Sequence, residues 1–287
     1  MITLQNSFLK AGFMPHGAEL RSLRTAGGRE IMWQADAAYW AKTSPVLFPV
    51  VGALKEGYYI HNGEKYELPR HGFARDLAFE ADVLSGTAVR FTLRSNEETR
   101  KNYPFDFIFM IDYLLEDNRL TCSYTVENPA ESPLYFSLGA HPAFLLGNTK
   151  EDFEAYELWF PADDELVCSV LYEGLTGNAS KTIKLHNRIL PLDYALFYED
   201  ALVLKSLKSN KIHLRSKKEP FLLEFRFEGF PYFGIWSAPD ANFICLEPWC
   251  GIADSVNHDN EISGKEGIRV LHAGEIFRRS WSVIISQ

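Results

Sequence analysis

Alternation of apolar and polar side chains with a period of two is the feature that most restricts how this chain can fold. From Arg119 to Glu127, Leu120, Cys122, Tyr124 and Val126 alternate with Thr121, Ser123 and Thr125. Such a segment buries one face of a strand and leaves the other wet. Val89, Phe91 and Leu93 alternate with Arg90, Thr92 and Arg94 in the same way. The run 105–115 is more continuously apolar and reads as a central strand covered on both faces. In Tyr58–Leu68, Asn62-Gly63 separates two strand-like segments, and both residues tolerate positive φ, so a tight hairpin is expected there. Further strands are expected at 201–207, 221–227, 233–236, 243–247 and 276–285. Helical periodicity is confined to short stretches near 36–42 and 97–102. Many short strands divided by Gly, Pro, Asn and Asp, with no Gly/Ser- or Pro-rich linker and no repeat, imply an all-β chain: one large antiparallel β-sandwich domain over residues 1–287.

Aromatic residues make up 14% of the chain, including 21 Phe and 13 Tyr, which suits the half-buried surface of a sheet and also the faces of sugar rings. The formal net charge is −9 and no Lys/Arg-rich run occurs, which argues against a nucleic-acid partner. Cys122, Cys168, Cys245 and Cys250 are scattered without a CxxC pair, as expected of reduced thiols in a cytoplasmic protein. The N-terminal MITLQNSFLKAGF does not have the pattern of a signal peptide, and no apolar stretch approaches the roughly 20 residues that cross a bilayer. No membrane association is expected.

Polar, titratable residues collect beside turn-formers and aromatics in three places: Pro69–Arg75 (PRHGFAR), Ser137–Phe144 (SLGAHPAF) and Cys245–Gly251 (CLEPWCG). Each puts a His or Glu at the edge of an expected strand, where a rigid scaffold meets solvent. Each also has a plainer reading: His71 and His141 as hydrogen-bonded structural histidines, Glu247 as a solvated or ion-paired carboxylate. Two His and one Glu could also ligate a metal, but no HxH or HxxxH spacing is present, and neither metal nor cofactor is expected. The GxSxG elbow and the GxGxxG and GxxxxGK phosphate loops are absent. Residue chemistry alone leads to a β-sandwich with a possible His/His/Glu acid–base site.

The succession LFPVVG (47–52), LPRHGFAR (68–75), YPF (103–105), GAHPAF (139–144), EDALVL (199–204) and LEPW (246–249) resembles the aldose 1-epimerase, or galactose mutarotase-like, superfamily over nearly the whole chain, and is most similar to its LacX-like branch. The resemblance implies a β-supersandwich with an open sugar-binding cleft and interconversion of the α and β anomers of a free hexose such as glucose or galactose. It implies His141 as the general acid at the ring oxygen and Glu247 as the general base at the anomeric hydroxyl. His71 would be a second, sugar-binding histidine and Asp200 the sugar-binding aspartate, with Asp193 as the competing alignment. Trp236, Trp249 and Phe73 are candidate apolar contacts to the sugar, and core packing is the alternative for each. The galactose mutarotases carry an Asn-Arg pair that contacts substrate where this chain reads VVGALKEG, with Lys55 and Glu56. HGFAR is shared with the hexose-6-phosphate mutarotases, whose arginine after the histidine helps bind phosphate; Arg75 holds that position, and the sequence offers it no clear second basic partner. The implied partner is a small sugar, taken by a monomer or homodimer. A hexose-6-phosphate mutarotase and a non-catalytic carbohydrate-binding protein of the same fold are the alternatives.

Overall fold

Alternating side chains build two large sheets in the computed structural model, which describes residues 1–286. One has nine strands, in the order Ile189–Pro191, Tyr156–Trp159, Lys211–Ser216, Leu222–Arg226, Ile276–Ser286, Arg119–Glu127, Ile108–Glu116, Ala88–Arg94 and Glu80–Ser85. The other has eight: Leu175–Lys184, Glu165–Tyr172, Leu202–Leu204, Tyr232–Trp236, Phe243–Cys250, Leu138–Ala140 and Val46–Leu47 in order, with Ala143–Leu145 pairing the first half of Phe243–Cys250. Their ladders are antiparallel. A smaller three-stranded sheet is formed by Ile2–Gln5, Leu9–Met14 and Glu19–Thr25. No helix among the described residues is long and apolar enough to cross a membrane.

The inner faces of the two large sheets meet in one apolar core. Phe225 of the nine-stranded sheet has its ring 6.0 Å from Phe144 and 6.1 Å from Phe233 of the other. Phe48, just after Val46–Leu47, stacks on Phe109 at 4.5 Å. Burying each such ring contributes about 1.5–3 kcal/mol, and none can slip a register without exchanging core for solvent face. The four cysteines are buried and unpaired.

Four sequence expectations need correction. The strand expected at 201–207 covers only Leu202–Leu204. The 105–115 run is not a strand throughout: Phe105 and Phe107 feed the aromatic core from a loop, and the strand spans Ile108–Glu116. Its Phe109, Ile111, Tyr113 and Leu115 are buried, whereas Ile108, Met110, Asp112 and Leu114 are half-buried, so one face only is fully covered. The 36–42 stretch is a turn rather than a helix. Asp36 carboxylate accepts the Ala38 amide, its carbonyl accepts Tyr39 and Trp40, and the Trp40 carbonyl is taken by the Trp33 indole, which ends the turn. The strand expected at 243–247 continues to Cys250. The helix Glu97–Asn102 forms with a capping box between Asn96 and Thr99, and Asn62 (φ 54°) and Gly63 (φ 82°) make the turn between Tyr58–His61 and Glu64–Glu67.

Candidate active site

Phe243–Cys250 has neighbours on both sides and is buried on both faces. Alternation sends Ile244, Leu246 and Cys250 into the main core, and sends Phe243, Cys245, Glu247 and Trp249 to the opposite face. There they join two small apolar clusters, one around Trp33, Phe243 and Cys245, the other around Leu47, Val203 and Trp249. Glu247 stands between them, 1% exposed. The Trp249 indole lies close over two glycines on the flanking strands, Gly139 directly across from it and Gly234 across from Glu247. A Cβ on Gly139 would fall 2.6 Å from Trp249 Cδ1, and one on Gly234 would fall 2.5 Å from Cη2.

His141 follows the strand Leu138–Ala140 and is 9% exposed. Its Nε2 is 3.1 Å from Glu247 Oε2. The contact has ion-pair distance without hydrogen-bond alignment, for Oε2 and His141 Nδ1 both stand without a hydrogen-bond partner among the described residues. Aromatic rings box the imidazole: Trp40 stacks on it at 4.9 Å, while Trp236 and His71 stand edge-on at 5.7 and 5.8 Å. Burial disfavours the charged form of each partner. It pushes the Glu247 carboxyl well above its ordinary range, against the pull of Arg70 and the Trp249 indole, and it pushes His141 down to about 3.

His71 enters from a loop docked against Phe48. The Phe73 and Ala74 amides both donate to the Phe48 carbonyl at 3.1 Å, and His71 (φ 68°) and Gly72 (φ 71°) turn the chain. A Cβ on Gly72 would fall 2.3 Å from the Phe48 carbonyl oxygen, so only glycine fits. The Gly52 amide donates to His71 Nδ1 at 3.1 Å. A ring nitrogen that accepts a hydrogen bond carries no proton, so the neutral ring holds its proton on Nε2. Burial first, then His141, Arg70 and Arg75, keep His71 well below the ordinary histidine value, and hence neutral.

These residues line one cavity of about 300 Å³, together with Arg75, Asp200, Trp236 and Trp249. Asp200 accepts the Ala201 amide at 2.7 Å and adds to the upward push on Glu247. Asp193 is elsewhere, exposed and capping the turn Tyr194–Phe197 through the Ala195 amide. Phe73 is not brought to the cavity; it packs on Phe48, Tyr103 and Phe107. Lys55 is also turned away, its ammonium on the His258 carbonyl. A larger, more open depression of about 670 Å³ on the three-stranded sheet gathers no comparable acid–base set, and its Glu19 is occupied by Thr43, Ser44 and Arg21.

Sequence reasoning missed Trp40, Thr176, Ile252 and Ala253, which come from loops and hairpins with no local chemical signal. It also missed Arg70, whose signal was its place beside His71. The expectation that Arg75 has no basic partner is therefore corrected. Arg75 Nη2 donates to the Arg70 carbonyl at 2.6 Å, and the Arg70 guanidinium lies 2.9 Å from where a Gly174 Cβ would be. Both line the cavity, and Arg70 makes no side-chain hydrogen bond or ion pair with a described residue. His141, Cys245 and Glu247 place ligand-type atoms within 4.8 Å of one another. Burial, and then the adjacent Glu247, hold the Cys245 thiol well above its ordinary value.

A profile of the family described as Aldose 1-epimerase matches residues 1–282. The chain belongs to the aldose 1-epimerase family. It is 31% identical over 297 aligned residues to the Lactococcus lactis plasmid protein LacX, covering 99% of each. A galactose mutarotase related enzyme from Lactobacillus acidophilus superposes with a TM-score of 0.94 at 34% identity, over 100% of this chain and 97% of that one. Over 52% of this chain and 49% of the relative, it is 29% identical to an Escherichia coli protein whose name provisionally assigns it glucose-6-phosphate 1-epimerase activity. Family membership and the antiparallel two-sheet architecture agree with the resemblance carried by the sequence motifs.

Proposed function

We propose that this protein is a mutarotase that interconverts the α and β anomers of a free hexopyranose, such as glucose or galactose, with Glu247 and His141 as its proton-handling pair. The observation that carries this reading is the pair itself: an imidazole nitrogen 3.1 Å from a carboxylate oxygen, both buried at the floor of a cavity of about 300 Å³. Ring opening removes the proton from the anomeric hydroxyl as the C1–O1 double bond forms. The C1–O5 bond breaks, and the ring oxygen takes a proton. Burial favours the shared proton on Glu247, so it must first pass to His141; Glu247 then accepts the anomeric proton and His141 donates to the ring oxygen. Rotation about C1–C2 turns the other carbonyl face to the ring hydroxyl, and the two groups then run the step in reverse. The reaction balances within the sugar and this pair. With a single proton shared between them, the pair is net neutral, so a buried site can hold the working form without an uncompensated charge.

His71, presenting Nε2–H, is suited to donate to a sugar oxygen, and Asp200 to accept from a hydroxyl. The indoles of Trp236 and Trp249 supply apolar faces for C–H groups. Saturation-transfer NMR of anomer exchange across a panel of aldoses tests the reading. Catalysis above the uncatalysed background is expected for glucose or galactose; background rates throughout would leave a sugar-binding protein without turnover. One observation favours a second reading, a hexose 6-phosphate: Arg70 and Arg75 place two guanidiniums at the same cavity. Glucose 6-phosphate therefore belongs in the panel.

A further inference from the structure

The stretch of cavity wall formed by Gly52, Ile252 and Ala253 is backed by a buried ion pair. Asp254 and Lys265 are 1% and 3% exposed, and Lys265 Nζ donates to Asp254 Oδ1 at 2.6 Å and to the Ile252 carbonyl at 2.7 Å. His258 Nε2 also stands 3.8 Å from Asp254 Oδ1, and the other hydrogen bonds of Asp254 include two to the segment that carries Gly52. Its Oδ2 accepts the Lys55 amide at 2.9 Å, and its own amide donates to the Ala53 carbonyl at 2.9 Å. Thr176 closes the far side, its amide donating to the Asp254 carbonyl at 2.8 Å. Gly52 (φ 75°) is pressed so closely to this loop that a Cβ would fall 2.5 Å from Ala253 Cα. Gly52 in turn exchanges hydrogen bonds with His71: its amide donates to Nδ1 at 3.1 Å and its carbonyl accepts the His71 amide at 2.9 Å.

We infer that Asp254, neutralised by Lys265, is a positioning residue that clamps residues 52–55 so that the Gly52 amide fixes His71 in the Nε2–H tautomer and aims that proton into the cavity. Neither member of the ion pair touches the cavity itself. Their buried charges are compensated by each other and by backbone groups, which gives the loop one arrangement rather than several. The inference deepens the mutarotase reading, on which its kinetic consequence rests; its spectroscopic consequence does not.

Imidazole ¹⁵N NMR reads the tautomer directly. In the wild-type protein His71 should show a single Nε2–H tautomer at neutral pH, and an Nδ1–H ring there would overturn the inference. Asp254→Leu combined with Lys265→Met removes both charges together, which avoids leaving one buried and unpaired. In this variant the His71 ring should become a tautomer mixture. KM for the aldose should rise about tenfold, the size of one lost hydrogen bond, while kcat changes less than about threefold. A folded double variant with a pure Nε2–H tautomer and wild-type KM would refute the clamp. If the double variant does not fold, hydrogen exchange in the wild type decides: the Gly52 and Lys55 amides should open together, within about threefold in protection, and independent opening of Gly52 would sink the inference. If no aldose is turned over, the tautomer and exchange readouts still stand, so failure of the functional reading and failure of the clamp are separable.

Discussion

Glu247 concentrates the conflict between folding and chemistry in this site, because a carboxylate 1% exposed has given up most of its hydration. Glu247→Gln keeps the shape and removes the base, so kcat for anomer exchange should fall by about 10²–10⁴-fold, with a similar loss for His141→Asn. The double variant should lose much less than the product of the two, since the groups act as one unit; strictly multiplicative losses would separate their roles. Stability should move the other way. The folded-state pKa of Glu247 is raised well above 4.5, so its stabilising protonation is complete below 4.5 and is lost as pH rises through the folded value. Glutamine suffers no such loss. The Tm of Glu247→Gln should therefore match the wild type near pH 4 and exceed it increasingly toward pH 8, by calorimetry; a gap that shrinks with rising pH would contradict the assigned direction. The residues of this conflict were legible because HGFAR, GAHPAF and LEPW each carry a titratable group beside a turn-former. Asp200 and Asp193 could not be told apart, since both precede short apolar segments and only tertiary placement sends one to the cavity and the other to a turn cap.

Two flanking glycines make the strand Phe243–Cys250 into a floor for the cavity. Because Gly139 and Gly234 sit directly across from Trp249 and Glu247, the indole can lie over both neighbouring strands instead of standing up into the space a sugar would fill. Gly234→Val would drive its Cβ to 2.5 Å from the ring and force the indole upward. KM should rise by an order of magnitude or more, about 1–3 kcal/mol of overpacking should appear as lost stability, and tryptophan fluorescence should shift. Unchanged KM with a displaced indole would place the sugar elsewhere in the cavity. At this scale the alternation of the sequence was a good guide to which face each side chain takes, and a poor one to where strands end. Pro248 stands just past the expected strand end, yet the ladder runs through it. Phe233 lies opposite on one side, and on the other the pairing breaks between Gly139–Trp249 and Ala143–Cys245, where a missing donor costs no ladder bond. The turn at 36–42 was misread because one turn of backbone, closed by Asp36 and the Trp33 indole, has the same spacing as the start of a helix.

Across the whole molecule, the charge distribution sets what can reach the cavity. The chain carries a net charge of −9, while Arg70 and Arg75 give the cavity mouth a local positive field. A neutral hexose feels neither. Its kcat/KM should stay constant from low to moderate salt, and Arg70→Gln, which removes a charge that pulls the Glu247 carboxyl down, should act on it only through the protonation of the acid–base pair, as for any aldose. A sugar phosphate would meet opposing effects: repulsion from the molecule at long range, screened beyond about 10 Å at 0.1 M salt, and attraction to the arginine pair at contact, which salt weakens less. If the free hexose is the substrate, kcat/KM for glucose or galactose should exceed that for glucose 6-phosphate at one ionic strength, and Arg70→Gln should leave that order intact. If phosphate is what the arginines hold, glucose 6-phosphate should be the faster substrate, and Arg70→Gln should cut its kcat/KM by about tenfold more than that for glucose, as loss of a charge-assisted hydrogen bond requires. The comparison is decisive because the acid–base pair treats both sugars alike at C1 and O5. Any difference between them must arise at the phosphate, for which the sequence motifs pointed to Arg75 alone and the fold brings Arg70 to the same cavity.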